Sequence, residues 1–204
     1  MKFFRNATAL AFGAALAAGP ILADDEKKPA DKPPMDEKAA MELMQKLGTP
    51  GKGHKKLNAL VGSWTAKTTL WMDPSKPPQE SEGTSEQKWV LGGRYLEQRF
   101  EGMFMDKPFS GLGYTTYDNY KKKYAATWMD TLSTMILVMT GDFDKAGRVL
   151  TTTGKTDDFT TGKTSTIRYR TILVGPDEIL WEMWGPGPDG KDFKMMASRY
   201  TRKK

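Results

Sequence analysis

Two carboxylates and one imidazole hold most of the reactive chemistry this chain could offer. Asp130 follows Trp128 by two residues. In an extended strand both side chains leave the same face, because successive residues alternate. An aspartate beside an indole inside a folded body would have a raised pKa and could move protons as a general acid or base. The competing role is an aspartate that ends its strand and binds turn amides ahead of Thr131-Leu132-Ser133. A lone carboxylate without a defined partner favours that second role. Glu182 has a possible partner in Arg168. If Gly175-Pro176-Asp177 turns a hairpin, a register whose paired numbers sum to about 350 sets the two opposite each other. Turned inward, each would need the other to offset desolvation, and together they could hold a polar ligand head. On an outer face they would add only about 0.2–1 kcal/mol. Their neighbours Tyr169 and Trp181 must point the other way, and two aromatics favour burial, so Arg168 and Glu182 are expected outside.

His54 is the only histidine and there is no cysteine. A His-rich zinc site is therefore impossible, a Ser-His-Asp unit would have to use His54, and disulfide or thiol chemistry is excluded. His54 is expected to cap a short helix or to hydrogen-bond a strand end. Met72, Met129, Met135, Met139, Met183, Met195 and Met196 fall in apolar stretches. Thioethers can bind copper(I), but these residues are spread over both faces of their strands. They are better suited to filling space or lining an adaptable pocket. Gly162-Lys163-Thr164 lacks a phosphate loop's first glycine, Asp157 standing in its place, and no helix follows. No catalytic set, metal or cofactor is expected.

The elements that must position these residues change character along the chain. Lys2 and Arg5, the apolar run Ala7 to Ala18, and Ile21-Leu22-Ala23 form the three-part pattern of a signal peptide over residues 1–23, cleaved after Ala23. The competing reading, an uncleaved tether, is weakened by Pro20, and the run is too short for a permanent membrane span. Export to the periplasm or the medium follows. Loss of Lys2 and Arg5 lowers the net charge from +6 to +4, without a basic block interleaved with aromatics, so no nucleic-acid partner is expected. Residues 24–34 are Asp, Glu, Lys and Pro with little to bury, hence a flexible spacer. Residues 35–61 form a helical segment. Met35, Ala39, Leu43, Met44 and Leu47 recur at helical steps until Gly48, and His54 to Leu60 makes one or two further turns.

From Gly62 the period becomes two. Trp64, Ala66, Thr68, Leu70 and Met72 share one side of the first strand. Nine more strands follow near 83–91, 94–103, 108–117, 122–131, 135–143, 147–155, 163–174, 178–185 and 192–202, separated by turn clusters such as Gly92-Gly93, Asp118-Asn119 and Gly187-Pro188-Asp189-Gly190. Residues 62–204 are therefore expected to form an all-β domain, an up-and-down antiparallel barrel of about ten strands, since closure removes exposed edges. A two-sheet sandwich is the runner-up.

Several motifs resemble a bacterial family, domain of unknown function 1579: Pro50-Gly51-x-x-His54-x-x-Leu57, Leu60-x-Gly62-x-Trp64, Trp71-Met72-Asp73-Pro74, Trp89-Val90-Leu91-Gly92-Gly93-Arg94, Tyr117-Asp118-Asn119, Thr127-Trp128-x-Asp130 and Gly187-Pro188-Asp189-Gly190-Lys191. The resemblance runs from about residue 35 to the C-terminus. It implies a lipocalin-like barrel and no particular reaction. In such barrels the tryptophan of Gly-x-Trp packs at the closed end beside an arginine of the last strand, which assigns structural roles to Gly62 and Trp64, with Arg199 as the matching arginine and Arg202 second. The resemblance also touches haem-binding barrels, whose axial histidine lies on the wall. No histidine follows the first strand here, so haem is not expected. The expected function is a non-catalytic container for a small apolar or amphipathic molecule, with Trp89, Phe100, Trp128, Asp130, Arg168 and Glu182 as candidate ligand contacts. The alternatives are an enzyme using Asp130 or Glu182 as its proton-transfer group, and a packed module without ligand.

Overall fold

The computed structural model describes residues 35–158, 162–187 and 189–204. The signal peptide and spacer expected over 1–23 and 24–34 lie outside the described residues. Within the unit Glu37–Lys204, helix α1 (Glu37–Gly48) and helix α2 (Lys52–Lys56) precede a 3-10 turn (Leu57–Leu60). Ten strands follow: β1 (Gly62–Leu70), β2 (Gln79–Val90), β3 (Tyr95–Phe104), β4 (Lys107–Asp118), β5 (Lys123–Asp130), β6 (Leu137–Phe143), β7 (Val149–Asp158), β8 (Lys163–Gly175), β9 (Glu178–Pro186) and β10 (Asp192–Arg202). Each pairs antiparallel with its sequence neighbours, and β1 pairs with β10 from Trp64↔Arg202 to Leu70↔Met196, so the barrel is closed. The expected architecture is the one found, and the sandwich is not.

Alternation decides what faces inward. On β1, Trp64 and Ala66 are buried while Thr65 and Lys67 are exposed, and the register Trp64↔Ser85 carries the same parity into β2. The even positions of β3 and the odd positions of β8 and β9 continue it around the wall. One end of the barrel is plugged. Leu57, Leu60, Trp64, Leu96, Tyr124 and Leu150 pack there into the main core. The link back to α1 is slender: Asn119 donates from Nδ2 to the carbonyls of Leu47 and Thr49, each at 2.8 Å. The helical stripe seen in the sequence does not drive α1 into the core, since none of its residues is buried and Met41, Leu43 and Met44 face solvent.

The Gly62-x-Trp64 step has a physical cause in this plug. Gly62 sits at φ +132°, a backbone conformation that side chains rarely adopt, and a Cβ there would lie 2.3 Å from Nη1 of Arg202. The Arg202 guanidinium stacks 4.1 Å from the Trp64 ring centroid. It also donates to the carbonyls of Val61 at 2.7 Å, Ala59 at 3.3 Å and Pro176 at 3.0 Å. The arginine paired with Trp64 is thus Arg202 and not Arg199. Arg199 is an odd residue of β10, opposite Lys67 on the outer wall, where it pairs with Glu178. Arg202 shares the inward parity of Tyr200 and is the last residue of β10, where its fork reaches the carbonyls of the turn that precedes β1.

A second glycine is required by close approach. A Cβ on Gly141 would lie 1.9 Å from the carbonyl oxygen of Thr151 and 2.7 Å from Cα of Thr152, both backbone atoms of the neighbouring strand β7. Gly141→Ala must force the two strands apart, and a loss of about 1–3 kcal/mol is expected, read as a lower urea midpoint at unchanged slope. An unaltered midpoint would contradict that packing.

Candidate functional site

The interior above the plug encloses a cavity of about 1140 Å³. Its walls are aromatic and thioether-rich, with Phe100, Phe109, Trp128, Tyr169, Trp181 and Met183 among the lining residues. Trp128 lies flat against β4, because a Cβ at Gly111 or Gly113 would meet its ring at 2.1 and 2.9 Å. Two glycines thus let a large ring line the wall without filling the space. A β-bulge between Lys194 and Met196 adds Met195 to the inner face, so consecutive methionines of β10 both reach the cavity. Met103, Met105, Leu132 and Met135 bring apolar surface to the mouth and are exposed there.

Neutral polar groups sit deeper. Thr68 and Ser198 hydrogen-bond across β1 and β10 at 2.7 Å, and Gln98 donates to Ser85 at 3.2 Å. Gln87, Thr152 and Tyr200 join them on the lining. Burial pushes the phenols of Tyr169 and Tyr200 up to about 12, with Gln98 and Ser198 pulling Tyr200 slightly the other way. Both phenols therefore stay uncharged near neutral pH.

The six candidate contacts divide by position. Phe100, Trp128 and Asp130 line the cavity. Asp130 stands at its mouth with Oδ2 accepting from Trp128 Nε1 at 2.9 Å and Oδ1 from the Leu132 amide at 3.0 Å. The strand-end role expected from the sequence and the contact with Trp128 are both present. Trp89 lines the plug instead of the cavity, donating from Nε1 to Asn58 Oδ1 at 2.8 Å with His54 6.3 Å away. It is the penultimate residue of β2, at the plugged end, beyond the depth at which the interior is open.

Arg168 and Glu182 lie on the outer face, as the inward burial of Tyr169 and Trp181 requires, and they are not opposite each other. A bulge between Leu173 and Gly175 sets the register at Arg170↔Glu182 and Arg168↔Trp184. The expected sum missed by two residues, which kept the face and changed the partner. Glu182 accepts from Arg170 at 2.9 Å and from Trp184 Nε1 at 3.1 Å, with Lys194 at 3.6 Å. Arg168 pairs with Asp192 at 2.6 Å and stacks on Trp184. A similar outer cluster surrounds Glu97, whose carboxyl is held below the usual range chiefly by the hydrogen bond from Arg99 at 2.9 Å. These ion pairs brace the wall from outside and do not reach the cavity.

His54 caps and bridges at once. The Gly51 amide donates to its Nδ1 at 3.2 Å, at the start of α2, and Thr116 Oγ1 on β4 lies 3.5 Å from its Nε2. Thr116 in turn donates to the Arg94 carbonyl at 2.7 Å. This chain requires the neutral imidazole with its proton on Nε2. Burial first, and the positive charge of Arg94 second, push its pKa below the ordinary 6.5. A depressed value means the neutral form is favoured in the fold. The stability it contributes is complete above about pH 6.5 and is lost as pH falls through the lowered folded value. Urea midpoints are expected to drop from pH 7.5 to pH 5 by more in the native protein than in His54→Asn, which cannot titrate; equal drops would contradict the cap.

The deep polar set was not singled out in the sequence, though the signal was there: Ser85 and Gln87, and Ser198 and Tyr200, share the parity that the register passes on from Trp64 and Thr68. Comparison with known proteins gives a family and a fold. The family model "Protein of unknown function (DUF1579)" matches residues 49–202. No curated protein matches the chain. Among solved structures, Rv2717c from M. tuberculosis is similar at TM-score 0.56 and 16% identity, over 76% of this chain and all of that one (100%). The S-type phycobiliprotein lyase CPES from Guillardia theta aligns at TM-score 0.48 and 12% identity, over 76% of this chain and 99% of its own.

Proposed function

The chain belongs to the DUF1579 family, and on that footing we propose that it is an exported, non-catalytic barrel that holds one small apolar or amphipathic molecule. The observation that carries this reading is the cavity of about 1140 Å³ within a closed wall. A barrel that served only as a stable module would fill its interior with side chains, as small barrels do. This one keeps Ala126, Thr115 and Thr152 where larger residues would close the space, and Gly111 and Gly113 let Trp128 lie back against the wall. Pockets for small organic ligands have comparable volumes, apolar walls and a few oriented polar groups. The binding role is favoured over the catalytic one because both oxygens of Asp130 already accept hydrogen bonds and Glu182 lies outside. Export rests on the charged start, apolar run and Ala23 site of the leader.

The test is native mass spectrometry of the protein purified from its own host without detergent. A single added mass, released on denaturation, is expected. The bare chain alone, together with failure to take up the neutral dye Nile red at one equivalent, would refute the proposal.

A further inference from the structure

The charge of the lining narrows what the cavity can accept. Of the described residues that line it, none is lysine, arginine or histidine; the carboxylates Asp106 and Asp130 stand at the mouth, while Glu80 and Glu82 at the rim have the outward parity of β2 and Glu82 pairs with Lys67 outside. A ligand carboxylate or phosphate drawn inside would lose its hydration without meeting a cation. It would also pass the carboxylates of Asp106 and Asp130 on the way in. The interior phenols are neutral and supply hydrogen bonds but no positive charge.

One deep group, by contrast, is left waiting. Gln87 is 7% exposed and lines the cavity, yet its carboxamide has no hydrogen-bond partner among the described residues. Its cross-strand neighbour Gln98 is engaged with Ser85. Thr152, also 7% exposed and on the lining, is likewise without a side-chain partner among the described residues. Buried amides and hydroxyls are almost always bonded, so such groups facing an open volume mark where a ligand's polar atom belongs. A carboxamide both donates and accepts, which suits a hydroxyl, carbonyl or amide.

Resting on the binding role proposed above, we infer that the cavity selects uncharged amphiphiles, which enter polar end first and hydrogen-bond Gln87, with Thr152 in support, while their apolar body lies against Trp128, Trp181 and the methionines. Anionic amphiphiles of the same length are excluded.

Isothermal titration calorimetry at pH 7.5 with 1-decanol, decanoate and decyltrimethylammonium tests this. One equivalent of 1-decanol is expected to bind, with decanoate at least about a hundredfold weaker. Gln87→Leu is expected to weaken 1-decanol by about tenfold, and Thr152→Val by less. The comparison of the three probes on the native chain needs no variant to fold. Decanoate or decyltrimethylammonium binding as tightly as 1-decanol would overturn the inference. So would an unchanged 1-decanol affinity in a cooperatively folded Gln87→Leu. In either case the container would stand if Nile red still bound. Failure of all three probes and of the dye would instead remove the binding role itself.

Discussion

Trp64→Ala is expected to cost about 3–5 kcal/mol, the largest stability loss of any single truncation in the barrel. The ring is completely buried (0% exposed) among Leu57, Leu60 and Leu96. Its Nε1 donates to the Leu60 carbonyl at 3.0 Å, tying strand β1 to the turn that plugs the barrel. Its face carries the Arg202 guanidinium. Truncation removes the transfer energy, leaves a void in a packed region and strips Arg202 of its platform. Trp64→Phe keeps a ring but leaves the Leu60 carbonyl without its donor, for a smaller loss of about 1–3 kcal/mol. A double-mutant cycle of Trp64→Phe with Arg202→Lys separates the stacking from the fork's bonds to Val61 and Ala59. Additive losses would mean that indole and guanidinium are not energetically coupled.

The pair Ala126→Trp and Thr171→Trp is expected to abolish uptake of neutral ligands, lowering affinity by at least about tenfold for each indole added. Both positions line the cavity, on strands β5 and β8. A new indole enters vacant volume instead of displacing packed neighbours, so the usual penalty of overpacking, about 1–3 kcal/mol, should largely be avoided. The informative result is therefore a split: dye and 1-decanol binding lost, urea midpoint little changed or raised. Stability falling together with binding would mean that the interior is already filled by side chains in solution.

Much of this molecule was legible in its residues. Alternation from Trp64 to Leu70 and the turn clusters after it gave all ten strands, because inside and outside of a closed wall differ in polarity at every step. Strand pairing was legible only to within a slip. A bulge at Val174 leaves no mark in composition, and it replaced Arg168 with Arg170 as the partner of Glu182. Depth along the barrel was invisible for a related reason. Period two says that Trp89 and Phe100 face inward, but only the plug formed by Leu57 and Leu60 determines that Trp89 is sealed while Phe100 is open to the cavity. The Arg199 assignment failed on parity, since the arginine that reaches Trp64 had to share Tyr200's side of β10. Met105 and Asp106 show the limit of turn chemistry, adopting φ 49° and 60° without the glycine or asparagine that announces such a hairpin.

The central claim is that the space between these strands is open to a guest, and methionine methyl groups report on it from within. Met139, Met183, Met195 and Met196 line the cavity, while Met41 and Met44 sit exposed on α1. In a spectrum of protein labelled with carbon-13 at the methionine methyls, titrated with 1-decanol, the four interior signals are expected to shift together and saturate at one equivalent while the two helical signals stay fixed. Interior signals that never move, with shifts confined to Met41 and Met44, would show that the guest stays outside and that the barrel is not a container.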